Sequence, residues 1–94
     1  MQTSESVWVF CGVKGQFPSG VFKDLSLAED WIPQWSLTGV LTKYPINEGV
    51  YEWATRTGYF TPSSPHQQTP EFIGKFSSAM LDHHHYEDGR RADT

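Results

Sequence analysis

The sequence predicts an α+β domain in which a small, mainly antiparallel sheet of about four strands carries two or three short helices. Three observations predict this class: short apolar segments rich in β-branched and aromatic residues, other segments with apolar residues at helical spacing, and turn residues between them. Because 94 residues suffice for one domain, we assign a single globular domain to residues 6–88, with flexible termini at 1–5 and 89–94.

The first strand is predicted over residues 6–14, which include VWVFCGV, the only uninterrupted apolar run of strand length. Alternation places Val9 and Cys11 on one face and Phe10 on the other. Because neither face is polar, we expect an interior strand covered on both sides, with Cys11 packed as a small apolar residue. The turn sequence GQFPSG follows, so residues 20–23 are expected to pair with this strand as an antiparallel hairpin.

The first helix is predicted at about residues 27–34, because Ser26 and Glu29 have the spacing of a capping box. Its apolar residues follow the spacing of a helix face turned to the core: Ala28, Trp31, Ile32 and Trp35. Pro33 has no N–H to donate and disfavours the α conformation at the residue before it, so we expect the helix to kink or end there.

The middle of the chain predicts a strand, a helix and a loop in that order. The strand covers residues 38–44 and stops at Pro45, which cannot donate to a ladder. The helix covers residues 49–57 and ends at Gly58, in the position of a C-terminal glycine cap. Residues 61–69 contain no aliphatic side chain and are predicted to be a long structureless loop.

The last segment predicts a helix followed by a strand. Thr69 as the N-cap and Pro70 at the first helical position open a short helix that runs to about Phe76. Residues 77–87 are predicted to contain the last strand, which ends in HHHYE and leads into a polar tail.

Composition limits the class of protein. Seven Lys and Arg residues against eleven Asp and Glu give a net charge of −4, with no basic stripe, which argues against a nucleic-acid partner and favours a basic protein partner. One cysteine allows no intrachain disulfide, the N-terminal MQTSES lacks the features of a signal peptide, and no segment is apolar enough for a membrane helix. We therefore expect a soluble cytoplasmic protein that contacts no membrane.

A histidine-rich segment is the strongest candidate for chemistry. On a strand, His83 and His85 project to one face, and Glu87 lies in the same phase, so the three could bind Zn²⁺ or a similar divalent metal. The alternatives are a solvated strand end and a pH-responsive surface. A nucleophilic pair of Cys11 with one of these histidines is conceivable, but core packing explains the cysteine better, and His66 lies in a polar loop.

An acidic surface with an aromatic residue is the candidate partner-binding site. The core-facing stripe of the second helix, which contains Trp53 and Ala54, leaves Tyr51 pointing outward or sideways, with Glu48 at the N-terminus of the helix; such acidic and aromatic combinations are enriched in protein interfaces. The partner-binding residues predicted in this way are Glu48, Tyr51, Glu52, Asp82, Glu87 and Asp88. The alternative is an ordinary solvated helix face with an ion pair between Glu52 and Arg56.

Several segments of the sequence resemble those of an uncharacterised family of small bacterial proteins, a domain of unknown function. They are VWVFCGVKGQFPSGVF, LTGVLTKYP with GVYEWA, and TPEFIGKF followed by HHHYEDG. The resemblance covers about residues 6–89 and implies a stand-alone bacterial cytoplasmic domain. It implies no activity, cofactor or catalytic residue.

The function that these observations favour is a non-enzymatic protein-binding module with no catalytic residue and no cofactor. Its most concrete form is an immunity-type inhibitor that neutralises a basic toxin or effector by binding it. One alternative is a metal-binding protein or metal-dependent hydrolase that uses His83, His85 and Glu87. The other is a small regulatory or structural subunit that works as a homodimer; both a monomer and a homodimer are compatible with the sequence.

Overall fold

A five-stranded antiparallel sheet and three α-helices form the fold of residues 5–92. A computed structural model describes residues 5–92. The sheet order is β2-β1-β3-β4-β5, and its strands are β1 Ser6–Gly12, β2 Gly20–Phe22, β3 Gly39–Pro45, β4 His83–Glu87 and β5 Arg90–Arg91. The helices are α1 Leu25–Gln34, α2 Val50–Thr57 and α3 Pro70–Gly74, with a 3₁₀ helix at Pro65–Gln68. The predicted α+β class is confirmed, with one strand more than the sequence predicted.

The main core lies between α1 and one face of the sheet. Phe10 and Leu41 are register partners on β1 and β3, and together with Ile32 of α1 they are the largest fully buried side chains. Trp31 packs its ring edge-on against Phe10, with 5.7 Å between ring centroids. Each such aliphatic or aromatic side chain stabilises the fold by about 2 kcal/mol when it is buried. Because Ala28, Trp31 and Ile32 of α1 all pack in this cluster, the helix contributes much of the main core.

The opposite face of the sheet is not covered by α1, which corrects the prediction of a strand buried on both sides. Val7 and Val9 of β1 are only partly buried, and Cys11 is exposed. The prediction that Cys11 packs in the core is therefore wrong. The reason is geometric: successive side chains of a strand alternate between faces, and α1 covers the face of Phe10.

Helix α1 begins two residues earlier than the sequence predicts. The Asp24 carbonyl accepts from the backbone N–H groups of Leu27 and Ala28, so Asp24 is the N-cap and Ser26 lies inside the helix. The predicted capping box is therefore wrong. The helix ends at Gln34, directly after Pro33, as predicted. The chain then turns through Ser36, with φ 51°, which leaves Trp35 63% exposed rather than in the core.

The region between β3 and β4 forms a second, smaller cluster of aromatic rings. Tyr51 of α2 contacts Phe76 and Phe60, with centroid separations of 5.4 and 5.9 Å. Both predicted caps are confirmed: Gly58 is left-handed with φ 87°, and the Thr69 hydroxyl accepts from the Phe72 N–H at 3.3 Å. The segment predicted to be structureless contains the 3₁₀ helix.

The chain ends in a tight hairpin where the sequence predicted a flexible tail. Asp88 and Gly89 have φ values of 52° and 86°, the conformation of a two-residue hairpin turn, for which Asp-Gly is a preferred sequence. Arg90 and Arg91 then pair with β4 as β5. A Cβ on Gly89 would lie 3.0 Å from the Pro33 Cα, so the turn also needs glycine for close packing. Residues 1–4 and 93–94 of the predicted termini lie outside the described part.

A hydrogen-bonded triad joins α1 to this hairpin. The Glu29 carboxylate accepts from the Tyr86 hydroxyl at 2.7 Å and from Arg91 Nη2, also at 2.7 Å. The hydrogen bond from Tyr86 is the main cause that holds the pKa of Glu29 below its ordinary value, and Arg91 adds to it. Burial is the main cause that raises the pKa of the Tyr86 phenol. The triad therefore fixes the C-terminal strand against the helix.

Candidate functional site: a charged cleft beside the second helix

A cleft of about 390 Å³ lies where the end of β3, helix α2 and the turn before β4 meet. The fold brings these elements together because the backbone N–H of Lys43 donates to the Asp82 carbonyl at 2.8 Å, which holds the turn against the strand. The buried Leu81 side chain lies in the same turn. The cleft is lined on its polar side by Glu5, Lys43, Glu48, Arg56 and Asp82 and on its apolar side by Ile46, Trp53, Tyr59, Met80 and Leu81.

A two-pronged ion pair forms one wall of the cleft. Arg56 donates from Nε and Nη2 to the two carboxylate oxygens of Glu48, at 2.6 and 2.9 Å. This pairing holds the pKa of Glu48 below its ordinary value, chiefly through the hydrogen bond, and raises the pKa of Arg56. The wall is therefore a fixed pair of opposite charges at neutral pH. Arg56 pairs with Glu48 and not with Glu52, the partner that the helical spacing suggested.

Two carboxylates and one ammonium group provide the remaining charge. Lys43 Nζ lies 5.9 Å from the centre of the Trp8 ring, which gives it a cation–π partner. Among residues 5–92, the carboxylates of Glu5 and Asp82 form no ion pair with Lys43 or any other cation. Within the described part of the chain, the cleft thus holds two acidic groups whose charges no direct contact neutralises.

An apolar rim lies beside these carboxylates. The rings of Trp53 and Tyr59 contact each other, with 5.3 Å between centroids. Tyr59 is brought back over α2 because its N–H donates to the Ala54 carbonyl at 2.9 Å, directly after the Gly58 cap. Tyr59 is 50% exposed and Met80 is 55% exposed. Amphipathic and flexible apolar side chains of this kind are common at protein interfaces.

The comparison with known protein families identifies the chain. The model of a family described as Domain of unknown function (DUF7710) matches residues 7–92. The chain belongs to this family. The DUF7710 match runs from β1 to the end of β5, so it includes both sides of the cleft and the C-terminal hairpin. No curated protein and no solved structure matches the chain. Within residues 5–92, no helix has the length and apolar character needed to cross a membrane.

In this DUF7710 domain, two of the six residues predicted to bind a partner line the same cleft: Glu48 and Asp82. Glu52 is exposed on α2 outside the cleft, and Glu87 and Asp88 lie at the C-terminal hairpin. Of the two orientations predicted for Tyr51, the outward one does not occur, because its ring packs among the phenylalanines of the second cluster.

Sequence reasoning missed the other residues of the cleft. The apolar stripe of α2 predicts Trp53 in the core, and no sequence pattern indicates Tyr59 or Met80 as a site residue. Their exposure depends on how α2 and the turn before β4 approach β3, which no local pattern encodes. Lys43 carried a usable signal, since alternation along β3 places it on the face opposite Thr42.

The histidines of β4 lie where alternation predicts, but the DUF7710 domain does not assemble the proposed metal site from them. The rings of His83 and His85 share one face, 5.4 Å apart. His83 Nδ1 donates to the Leu81 carbonyl at 2.7 Å, so its Nε2 is the acceptor atom of the neutral ring. In the described part of the chain, no group of three or more His, Cys, Asp or Glu side chains is placed to hold a metal, so Glu87 does not complete the set.

The other histidines have structural contacts. His84 stacks on Trp8 on the opposite face of the sheet, with 5.5 Å between ring centroids. His66 contacts Phe72 in the second cluster. Cys11 and His85 both pair with Val40, from opposite sides, so they lie two strand spacings, about 10 Å, apart. A nucleophilic pair of these two residues is therefore not formed.

Proposed function

We propose that this domain is a non-enzymatic protein-binding module that holds a segment of its partner in the cleft. The observation that carries the proposal is the position of the exposed Tyr59 and Met80 side chains beside the Asp82 carboxylate in one concave site. Aromatic anchors supply most of the affinity in protein interfaces, and charged groups next to them select the partner.

The chemistry of the cleft suggests the chemistry of the partner segment. An apolar side chain of the partner fits against Tyr59 and Met80, and a lysine or arginine next to it fits against Asp82 and Glu5. The charges of Glu48 and Arg56 compensate each other through two hydrogen bonds. The pair therefore borders the cleft without requiring a charged group from the partner. The segment is therefore expected to alternate apolar and basic residues.

The most specific form of this proposal is an immunity-type inhibitor that neutralises a basic toxin or effector. The net charge of −4 supports it, because an acidic surface accelerates association with a basic partner. We further propose a cytoplasmic location, where the exposed Cys11 thiol stays reduced.

Affinity capture followed by calorimetry tests the proposal. The tagged domain is used to recover its partner from cells, and binding of the purified pair is then measured for Tyr59→Ala and Asp82→Asn. We expect each substitution to weaken binding by about tenfold or more, as hot-spot truncations do. Phe17→Ala is the matched control, because Phe17 is 75% exposed and does not line the cleft.

Two results would overturn the proposal. One is that no protein is recovered in stoichiometric amount with the wild-type domain. The other is that a recovered partner binds Tyr59→Ala, Asp82→Asn and the control equally well. For the immunity-type form, the additional readout is growth of cells that express the recovered partner with and without the domain.

A further inference from the structure

Within residues 5–92, one face of the sheet presents apolar side chains on the side opposite α1. Register places Val9 of β1 opposite Val21 of β2 and Thr42 of β3. It also places Val40 of β3 between Cys11 and His85. Val21 is 63% exposed, and Cys11 is exposed as well. We call this surface the open face.

The composition of β1 differs from that of a strand with one solvated face. In antiparallel sheets, a solvated face normally carries polar residues that alternate with the apolar ones. Here Val7, Val9 and Cys11 point to the open face, and no residue from Val7 to Val13 is polar on either face. Residues 77–79 border a shallow depression over the β3 and β4 part of this face, which Val40, Thr42, Tyr44 and His83 also line. On the β1 and β2 part, Cys11 and Val21 are exposed, so within residues 5–92 the apolar pattern of β1 is covered fully on one side only.

The charge of the open face indicates what covers it. The whole chain carries a net charge of −4, so two copies repel each other through most of their surfaces. On the open face, the charged residues contributed by the five strands are Glu87 and Arg90, which have opposite charges and are register partners. The two formal charges cancel, so two copies repel each other less through this face than through the rest of their acidic surfaces.

We infer that the open face is the interface of a homodimer, in which two sheets pack face to face with α1 on the outside of each copy. Symmetry allows such a pairing, because an isologous interface needs one patch that complements itself. Valine side chains that stand out from two facing sheets fill a layer about 10 Å thick.

The size of the open face sets the strength of the dimer. The five strands contain 24 residues in total, and at about 3.3 Å per residue and about 4.8 Å between strands they give a projected area of about 380 Å² per copy. This lies below the roughly 800 Å² per partner of a standard interface. We therefore expect a weak, reversible dimer that dissociates in the micromolar range or above.

The inference does not rest on the proposed function. The cleft is lined by Lys43, which pairs with Trp8 across β3 and β1 and so points to the face opposite Val9. A dimer formed through the open face leaves both clefts accessible. Loss of the dimer and loss of partner binding can therefore be measured separately.

Analytical ultracentrifugation of the untagged full chain tests the inference. We expect the mean mass to rise from 10.7 kDa at low micromolar concentration towards twice that value at high micromolar concentration. Val21→Lys should keep the mass at that of the monomer, because it places a cation on each side of the interface. Leu27→Lys is the matched control, since Leu27 is 52% exposed on α1, and it should dimerise like the wild type.

The single cysteine gives a second readout that does not depend on mass. The Cys11 thiol lies on the open face, so its rate of reaction with an aromatic disulfide reagent should fall several-fold as the protein concentration rises. In Val21→Lys, this rate should be independent of concentration. Far-ultraviolet circular dichroism and the thermal midpoint show that the variant is folded; because Val21 is largely exposed on a short edge strand, we expect both to be close to those of the wild type.

Three outcomes would overturn the inference. The first is a monomeric mass at every concentration. The second is equal dimerisation of Val21→Lys and Leu27→Lys, which would place the interface elsewhere. The third is a Cys11 reactivity that changes only when another protein is added, which would assign the open face to a different partner.

Discussion

At the scale of the residue, Glu29 is the side chain whose charge the fold uses most directly. Its carboxylate joins α1 to the C-terminal hairpin through Tyr86 and Arg91, and its pKa is lowered from the ordinary value of 4.5. A group with a lowered pKa in the folded state adds stability above its unfolded pKa and loses it as the pH falls through the folded value. The triad therefore stabilises the fold at neutral pH and ceases to do so in acid.

Glu29→Gln is expected to reduce the free energy of unfolding at pH 7 by about 1 kcal/mol or less, because both ion-pair side chains are 35% exposed and partly screened. The difference from the wild type should shrink at a pH below the folded pKa of Glu29, where both side chains are neutral. Urea unfolding at the two pH values measures it. A difference that is the same at both would show that the charge of Glu29 is not involved.

Gly39 is a position at which the addition of a single methyl group is expected to destabilise the fold strongly. An added Cβ would overlap the Cys11 carbonyl oxygen and lie 2.7 Å from Phe10 Cζ, a fully buried ring. We expect Gly39→Ala to lower the free energy of unfolding by about 3 kcal/mol, because backbone on one side and a packed ring on the other cannot both move.

Gly74→Ala is the matched control for Gly39→Ala, because nothing lies within 4 Å of a Cβ built there. It is expected to raise stability slightly, since glycine at a helical position is less favourable than alanine by up to about 1 kcal/mol. Chemical denaturation of both variants measures these two changes in the free energy of unfolding. Equal midpoints for the two variants would contradict the packing assigned to β1 and β3.

At the scale of the element, the sequence predicts where a helix ends when a single capping residue determines the end. It does not predict which side of a helix is buried. Gly58 and the Thr69–Pro70 pair set their boundaries through local backbone chemistry, which the sequence displays. The start of α1 was missed because Asp24 and Ser26 are both good N-cap residues. The Asp88–Gly89 turn was also visible in the sequence, but a run of polar residues around it suggested a tail.

Helix α2 shows why the site could be predicted only in part. Its stripe of apolar residues predicts one buried side, but two sides of the helix make packing contacts. Ala54 is buried, and the ring of Tyr51 packs in the separate aromatic cluster. The sequence predicts Glu48 as a binding residue because it is acidic and lies at the N-terminus of α2, and Asp82 because it is acidic and precedes the histidines. That they line one cleft depends on the path of the chain between them, which periodicity does not specify.

Tyr51→Ala is expected to lower the free energy of unfolding by about 2 kcal/mol, because it leaves a gap among partly buried rings. Tyr51→Phe should be close to the wild type, since the contacts of Tyr51 are made by its ring. Thermal unfolding of both variants tests this. A stable Tyr51→Ala variant that has lost partner binding would instead restore Tyr51 to the interface.

At the scale of the whole molecule, the domain is more extended than its length requires. Its radius of gyration is 14.8 Å, compared with about 12 Å for a compact chain of this size. The second aromatic cluster contributes to this, because it is built from residues between β3 and β4, and its helix α3 packs against the 3₁₀ helix. The cleft lies at the junction, and a bound partner segment would contact both parts.

The position of β3 in the sheet has a consequence for the order of folding. This strand pairs with β1 on one side and with β4 on the other, and residues 46–82 separate it from β4. The first pairing closes over a hairpin and α1, whereas the second must close a longer stretch, and each longer closure carries a greater loss of chain entropy. We expect β1, β2, α1 and β3 to form the folding nucleus and β4 with its hairpin to join after it, so the cleft is completed in the last step of folding.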